Sequence, residues 1–158
     1  MNEKYALGVD IGGSHIACQV VELGSSRPVG ETYTEVKIAE NESAQKILAA
    51  WDSALGACMQ KAGARAITGL GVAMPSPFDF IKGIAMAEHK FASIKGMNVR
   101  AELHRLTGID PSRILFTNDA AGFGMGAWSL GGGNARHLIG VTLGTGFGAC
   151  FIVDGCYA

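Results

Sequence analysis

The sequence predicts an α/β domain built on a mixed sheet, and three observations lead to this fold class. Three strand-like segments open the chain, helix and strand then alternate, and the last segments repeat the opening order of strand, glycine turn and strand. Alternating helix and strand is typical of parallel strands with crossover helices, whereas two strands joined by a tight turn run antiparallel. We therefore predict a mixed sheet of five strands, followed by the first hairpin of a second domain.

Apolar runs closed by glycines mark the opening strands. Residues 5–11 form a short apolar run that ends at Gly12-Gly13, and apolar residues alternate along 15–22. This pattern predicts two antiparallel strands around a tight glycine turn. Residues 28–38 predict a third strand.

A change of period marks the first helix. Apolar residues fall at helical spacing between Ser43, which suits an N-cap, and Gly63, which suits a helix end. Residues 66–73 then predict an apolar strand. This strand ends before Pro75 and Pro77, because proline cannot donate to a strand ladder.

A second helix and a further strand follow the proline loop. Asn98 predicts the N-cap of this helix, and Gly108 predicts its end. Residues 114–117 predict a short buried strand that leads into Asn118-Asp119 and a helix of small residues.

The final strands repeat the layout of the first two. Residues 137–143 and 147–153 predict strands around Gly144-Thr145-Gly146. We therefore divide the chain into an amino-terminal domain, residues 1–136, and the opening hairpin of a second domain, residues 137–158.

Composition and charge exclude several classes of protein. The 158 residues carry a formal net charge of −1, with 17% charged and 48% hydrophobic residues, which is an ordinary globular balance. We therefore expect no nucleic-acid partner and no membrane partner. The sequence shows neither a signal peptide nor a membrane-spanning run, so we expect a cytoplasmic protein. The four cysteines form no C-x-x-C pair and lie in apolar segments, which predicts reduced core thiols.

The first glycine turn offers a site for phosphate and metal. Asp10 lies at a strand end, and the N–H groups of Gly12 and Gly13 with the hydroxyl of Ser14 could face phosphate oxygens. The carboxylate of Asp10 could hold magnesium, directly or through water. A plain hairpin turn explains the same residues equally well. The turn at residues 144–146 could bind phosphate in the same way, and it is equally open to the plain interpretation.

Asn118 and Asp119 follow a strand, at the edge of the sheet where ligands of open α/β folds bind. A helix N-cap is the other interpretation, because a carboxylate is favoured at the start of a helix. Two glycine turns and this carboxylate together suit phosphoryl transfer. That reaction needs oriented N–H donors, a metal ion and a base that accepts a hydroxyl proton.

Four segments resemble, in order and spacing, the successive motifs of ROK-family sugar kinases. They are Leu7-Gly8-Val9-Asp10-Ile11-Gly12-Gly13-Ser14, Gly71-Val72-Ala73-Met74-Pro75-Ser76-Pro77-Phe78-Asp79, Thr117-Asn118-Asp119-Ala120 and Gly140-Val141-Thr142-Leu143-Gly144-Thr145-Gly146-Phe147-Gly148. The resemblance implies an actin/hexokinase-like (ribonuclease H-like) fold with helices on both faces of the five-stranded sheet. It also implies ATP-dependent phosphorylation of a hexose or an N-acetylhexosamine, as in glucokinases, in a cleft between two domains.

The resemblance assigns roles to individual residues. It implies that Asp119 is the general base and binds the sugar, with Asn118 and Pro75 as further sugar contacts. Magnesium would lie near Asp10. The phosphates of ATP would lie against the two glycine turns, formed by Gly12, Gly13, Ser14, Gly144, Thr145 and Gly146. Polyphosphate is the alternative donor, because polyphosphate-using relatives share these turns.

Two departures from the family's pattern bear on specificity. The family usually carries threonine and then lysine or arginine where Ser14 and His15 stand. A histidine at the second position makes the positive side-chain charge there depend on pH. The proline motif keeps Pro75 and Pro77 but adds bulk near the sugar. The sugar preference could therefore differ from that of a standard glucose kinase.

The chain is about half as long as a two-domain member of the family. The resemblance places further sugar contacts, the adenosine pocket and a cysteine-rich site in the other half. We therefore expect structural zinc only there, a catalytically incomplete fragment here and a homodimer of the full-length protein. A repressor of the family is disfavoured because only nine residues precede Asp10. A fragment that self-associates through the hairpin of residues 138–153 is a further alternative.

Overall fold

A central sheet and a separate hairpin organise the chain. The computed structural model describes residues 4–39, 41–88, 91–131, 133–143 and 147–158. Its strands are β1 (Tyr5–Ile11), β2 (His15–Glu22), β3 (Arg27–Pro28), β4 (Thr34–Lys37), β5 (Ile67–Met74), β6 (Phe78–Asp79), β7 (Ile84–Ala85), β8 (Ile114–Asn118), β9 (His137–Leu143), β10 (Phe147–Val153) and β11 (Cys156–Tyr157). Its α-helices are α1 (Ala44–Ala62), α2 (Val99–Thr107) and α3 (Asp119–Leu130).

The central sheet is mixed, as predicted. Strand β1 pairs antiparallel with β2 and parallel with β5, and β5 pairs parallel with β8. The order across the sheet is β3-β2-β1-β5-β8, and β4 also pairs with β2. The predicted α/β fold class is therefore confirmed.

The predicted third strand over residues 28–38 is split in two. A 3-10 helical turn at Gly30–Thr32 separates β3 from β4, and both short strands pair with β2. The buried Thr32 hydroxyl accepts a hydrogen bond from the Val20 N–H at 2.9 Å and donates one to the Val29 carbonyl at 2.6 Å. Because a side chain takes the place of a strand partner for Val20, the described sheet has six strands rather than five.

One face of the sheet carries the hydrophobic core. Side chains alternate along a strand, so every second residue of β1, β2 and β5 points to this face. These residues are buried against α1 and α2, and they are Leu7, Val9, Ile11, Ile16, Cys18, Val20, Leu70, Val72 and Met74. Trp51 and Leu55 of α1 and Leu103 of α2 are buried among them.

The opposite face of the sheet carries small residues and is only partly covered. Helix α3 lies over its edge, where a Cβ atom added to Gly122 would lie 3.3 Å from side-chain carbons of both Ala73 and Thr117. Leu115 of β8 is 68% exposed on this face. Helices therefore lie on both faces, as predicted, with α1 and α2 on one face and α3 on the other.

The predicted ends of α1 and α2 are confirmed. The Ser43 hydroxyl and the side-chain oxygen of Asn98 each accept a hydrogen bond from an N–H group in the first turn of their helix. The helices stop at Gly63 and Gly108, whose φ angles of 61° and 70° suit glycine. None of the described helices is long and apolar enough to cross a membrane.

Strands β9 and β10 form the predicted final hairpin, which joins β11 in a small separate sheet. Cys150 and Ile152 of β10 are buried on the side that packs against α3. The turn at residues 144–146 lies outside the described residues. The prediction that all four cysteines are core thiols is wrong for Cys156, which is exposed because it lies in the short edge strand β11.

Leucines on the two faces of the sheet should contribute differently to stability. Leu70 is 2% exposed, so we expect Leu70→Ala to lower the free energy of unfolding by about 2–5 kcal/mol. Leu115→Ala, on the neighbouring strand, should cost roughly 0.5 kcal/mol or less because the side chain is already solvated. Urea denaturation followed by circular dichroism measures both losses. Equal losses would contradict the assignment of the core face.

Candidate active site

The carboxyl ends of the parallel strands meet at one edge of the central sheet. Asp10 of β1 pairs with Ala73 of β5, and Ala73 pairs with Thr117 of β8. Two strand spacings therefore separate Asp10 from Thr117 across the sheet, roughly 10 Å. Because Asp119 follows Thr117 by two residues, strand pairing brings the two predicted carboxylates to the same edge.

A cavity of about 740 Å³ opens at this edge and continues along the open face of the sheet. Its volume lies in the range typical of small-molecule sites. Three predicted site residues, Asp10, Gly12 and Asp119, line it. Other lining residues are His15, Tyr33, Thr117, Phe123 and Thr142.

The first glycine turn is closed by its own backbone. The N–H of Gly12 donates to the carbonyl of His15 at 3.0 Å. No such bond is found for the N–H groups of Gly13 and Ser14 in the described part of the chain, which leaves both donors open to a ligand. The Ser14 hydroxyl lies 3.3 Å from Nδ1 of His15. Gly12 therefore shapes the turn, while Gly13 and Ser14 present donors.

Asp10 lies in a crowded, acidic corner of the cavity. Burial by the cavity walls raises the pKa of its carboxyl, although the side chain stays half-exposed at the opening. His15, whose Nε2 lies 3.7 Å from Oδ2 of Asp10, acts in the opposite direction and lowers this pKa. The negative charge of Asp119 raises it again. The two carboxylates are thus close enough to repel each other.

The donors in this corner suit a hard divalent cation. Magnesium prefers oxygen ligands, and a cation bound at Asp10 would offset the repulsion between Asp10 and Asp119. No cluster of three or more His, Cys, Asp or Glu side chains is arranged to hold a metal ion within the described residues. A magnesium ion held by Asp10 would complete its coordination with water or phosphate oxygens.

Asp119 is the first residue of α3, and it lines the cavity. Its Oδ1 accepts a hydrogen bond from the N–H of Ala120 at 2.8 Å. The side chain is exposed at the edge of the cavity, and a carboxylate in such a place is within reach of a ligand hydroxyl, as a general base must be.

Asn118 caps α3 and joins it to the proline loop. Its Oδ1 accepts a hydrogen bond from the Ala120 N–H at 3.0 Å, so its Nδ2 is the atom that donates to the Ser76 hydroxyl at 3.2 Å. One N–H of the amide is left for a ligand. Neither Asn118 nor Pro75 lines the described cavity, although Asn118 lies in the chain between the lining residues Thr117 and Asp119.

The sequence-based predictions missed Thr142 and Tyr33 as lining residues. Alternation along β9 places Thr142 with Gly140, on the side facing α3, and this signal could have found it. No pattern marks Tyr33, which lies between a 3-10 turn and β4 and donates to Glu35 Oε2 at 2.5 Å. The predicted phosphate contacts at residues 144–146 lie outside the described residues, so they stay a prediction.

Solved structures with this fold include proteins of different function. The ROK-family glucokinase of Streptomyces griseus, solved with glucose and AMPPNP, aligns with a TM-score of 0.74 and 22% identity over 98% of this chain and 46% of that chain. The inorganic polyphosphate/ATP-glucomannokinase of Arthrobacter sp. strain KM aligns with a TM-score of 0.75 and 23% identity over 98% and 60%. A ROK-family transcriptional regulator, a homolog of the E. coli MLC protein, aligns with a TM-score of 0.71 and 18% identity over 98% and 38%.

These likenesses establish the fold and not the function. One fold serves different functions, and all three identities are low. The chain spans between 38% and 60% of the length of these three proteins. Comparison of the sequence with curated proteins gives no significant match. The sequence model of the ROK family, in contrast, matches residues 6–157. Because this match covers nearly the whole chain, the chain belongs to the ROK family.

Proposed function

We propose that the protein transfers a phosphoryl group from ATP to a hexose or an N-acetylhexosamine, with Asp119 as general base. One observation carries the proposal. Asp10, near the end of β1, and Asp119, just after β8, line a single cavity beside the first glycine turn. Membership of the ROK family, which consists mostly of sugar kinases, supports the same class of reaction.

In the proposed reaction, a sugar hydroxyl attacks the γ-phosphorus of ATP. The bond between sugar oxygen and phosphorus forms, the bond to the β,γ-bridging oxygen breaks, and ADP leaves. Asp119 accepts the proton that the hydroxyl loses. Asp119 is exposed at the start of α3 and lines the cavity, so its carboxylate is accessible to a bound sugar hydroxyl.

The first glycine turn and Asp10 act on the phosphates. The N–H groups of Gly13 and Ser14 would orient phosphate oxygens, as backbone donors in tight turns do. His15 adds a donor to the corner that Asp10 occupies. Magnesium, when bound near Asp10, would supply positive charge that offsets the charge on the phosphates.

The sugar would lie between Asp119 and the proline loop. Asn118 holds this loop through its bond to Ser76, so the loop is attached directly beside the base. The remaining N–H of Asn118 would donate to a sugar hydroxyl, and Pro75 would form part of the wall. This arrangement would place one hydroxyl of the sugar near the Asp119 carboxylate.

Two alternatives are each favoured by an observation. Polyphosphate is the alternative donor, because a glucomannokinase described as using inorganic polyphosphate or ATP shares the fold. A non-enzymatic sugar-binding regulator, or a catalytically incomplete half, is the alternative function, because a transcriptional regulator also shares the fold and the chain spans only part of its relatives. An assay of turnover distinguishes the non-enzymatic and incomplete alternatives from a kinase, and the choice of donor in that assay distinguishes ATP from polyphosphate.

Asp119→Asn should remove most of the turnover. A general base contributes roughly 10²–10⁴-fold to a rate, and an amide cannot accept the proton, so we expect a loss of that size in kcat. The measurement is coupled ADP release with magnesium-ATP and glucose, fructose, mannose, N-acetylglucosamine or N-acetylmannosamine. Asp52→Asn makes the same chemical change at an exposed position of α1 and should leave kcat unchanged.

Two results of this assay would contradict the proposal. Full activity in Asp119→Asn would exclude Asp119 as the base. Absence of ADP release from the unmodified chain with every sugar would contradict ATP-dependent kinase activity of this chain and favour the non-enzymatic or incomplete alternative. The other donor is tested by replacing ATP with polyphosphate, because sugar phosphate formed with polyphosphate and not with ATP would change the donor.

Asp10→Asn should weaken nucleotide binding only when magnesium is present. An amide is a poorer ligand for magnesium than a carboxylate, so we expect the Kd for AMPPNP to rise roughly tenfold or more with magnesium. In EDTA the substitution removes only a negative charge near the phosphates, and the Kd should stay the same or fall. Isothermal titration calorimetry measures both. Equal weakening with and without magnesium would contradict a metal role for Asp10.

A further inference from the structure

Helix α3 and the β9–β10 hairpin meet through a series of glycines. We call this contact the α3–hairpin joint. It consists of Ala120, Gly124 and Trp128 on α3, of Gly140, Thr142, Gly148 and Cys150 on the hairpin, and of Gly155 in the turn that follows β10. The three helix residues are four positions apart, so they lie on one face of α3. The joint therefore has three levels along the helix.

The middle level leaves no room for a side chain on α3. A Cβ atom added to Gly124 would overlap the sulfur of Cys150, and one added to Gly140 would lie 2.7 Å from the same sulfur. All three residues are buried. The thiol of Cys150 thus fills the space that a side chain of Gly124 would need.

The first level lies beside the proposed base. A Cβ atom added to Gly148 would lie 2.5 Å from Oγ1 of Thr142 and 3.0 Å from Cβ of Ala120. Ala120 follows Asp119 directly, and Thr142 lines the same cavity as Asp119. The hairpin therefore contacts α3 at the residue directly after Asp119, and it also contributes Thr142 to the cavity wall.

The third level closes the other end of the joint. A Cβ atom added to Gly155 would lie 2.8 Å from Cη2 of Trp128, and the indole N–H of Trp128 donates to the Ala135 carbonyl at 2.8 Å. Contacts at three levels, with a glycine at each, hold helix and hairpin at a short distance along most of the length of α3. Well-packed contacts of this kind resist deformation.

We propose that Gly124 is a positioning residue for phosphoryl transfer, because its missing side chain lets the hairpin approach α3 and so fixes Asp119 relative to the cavity wall that contains Thr142. The inference builds on the proposed function. It adds a residue that touches neither sugar nor phosphate and acts through the placement of the base. A displacement of about 1 Å at reacting groups costs up to roughly 10²-fold in rate, so small changes in this joint matter.

The chain provides a matched control and a rescue for the test. Gly126 lies on the same helix, and a Cβ atom added there would meet nothing within 4 Å. Gly126→Ala should therefore leave the joint unchanged and slightly stabilise α3, because alanine has a higher helix propensity than glycine. In Gly124→Ala/Cys150→Ala, the sulfur is gone and the nearest atom to the new Cβ is Cβ of residue 150 at 3.6 Å, an ordinary contact. The double variant should therefore restore the joint.

Thiol reactivity reports on the joint without any assumption about function. In a Cys156→Ser background, Cys18, Cys58 and Cys150 are all buried. We expect none to react rapidly with Ellman's reagent in the otherwise unmodified chain or with Gly126→Ala. Gly124→Ala should open the joint, and one thiol, that of Cys150, should then react rapidly.

The other two thiols distinguish an opened joint from an unfolded chain. Burial raises the pKa of Cys18 to about 12 and also raises the pKa of Cys58, so both stay unreactive while the core is intact. Rapid reaction of three thiols would mean that Gly124→Ala unfolds the chain, which would overturn a role confined to the joint. Continued protection of Cys150 would show that the joint tolerates a side chain, which would overturn the inference as well.

Kinetics then decide between positioning and packing alone. We expect Gly124→Ala to lower kcat for sugar phosphorylation roughly 10- to 100-fold with little change in the sugar KM, and Gly124→Ala/Cys150→Ala to recover most of that loss. Unchanged kcat together with a reactive Cys150 would show that the joint is only structural. If the unmodified chain releases no ADP with any sugar, the proposed function fails, and with it the positioning role, while the thiol result still shows whether Gly124 keeps the joint closed.

Discussion

The parallel pairing of β1, β5 and β8 is the constraint on which the candidate site depends. Asp10 and Asp119 are far apart in the sequence, and no side-chain bond joins them in the described chain. The backbone ladder alone sets Asp10, Ala73 and Thr117 in one row, and Asp119 follows at the end of that row. The sheet therefore sets the places of the two carboxylates along its edge, and its other face packs through the buried core against α1 and α2.

Polar groups at the start of α3 serve folding and chemistry together. The Ala120 N–H donates to both Oδ1 of Asn118 and Oδ1 of Asp119, which satisfies a donor that a helix start leaves without an intrahelical partner. The same bonds orient the Asn118 amide toward Ser76 and hold one oxygen of Asp119. The N-cap interpretation and the catalytic interpretation of these residues are thus compatible, since capping uses only part of their hydrogen-bonding capacity.

The glycines of this chain serve different physical purposes, and their positions in the sequence do not separate them. Gly63 and Gly108 end helices at positive φ, where a side chain is strained. Gly122 and Gly124 lie inside a helix, where glycine is unfavourable by roughly 1 kcal/mol relative to alanine. The close approach of α3 to the sheet and to the hairpin accounts for glycine at these two positions. Clustered glycines in this chain thus mark close packing in α3, whereas elsewhere they mark turns and helix ends.

The sequence by itself determined the fold class, the ends of α1 and α2 and the strands of the final hairpin, because alternation, helical spacing and caps are local signals. It also pointed to Asp10 and Asp119, since Asp10 lies near the end of one apolar strand and Asp119 directly follows another. Only the tertiary structure decided that Thr32 would interrupt the third strand, that Thr142 would line the cavity, that Cys156 would be exposed and that Gly124 would face Cys150. These features depend on which segments meet across the fold, and contacts between distant segments leave no periodic pattern in the chain.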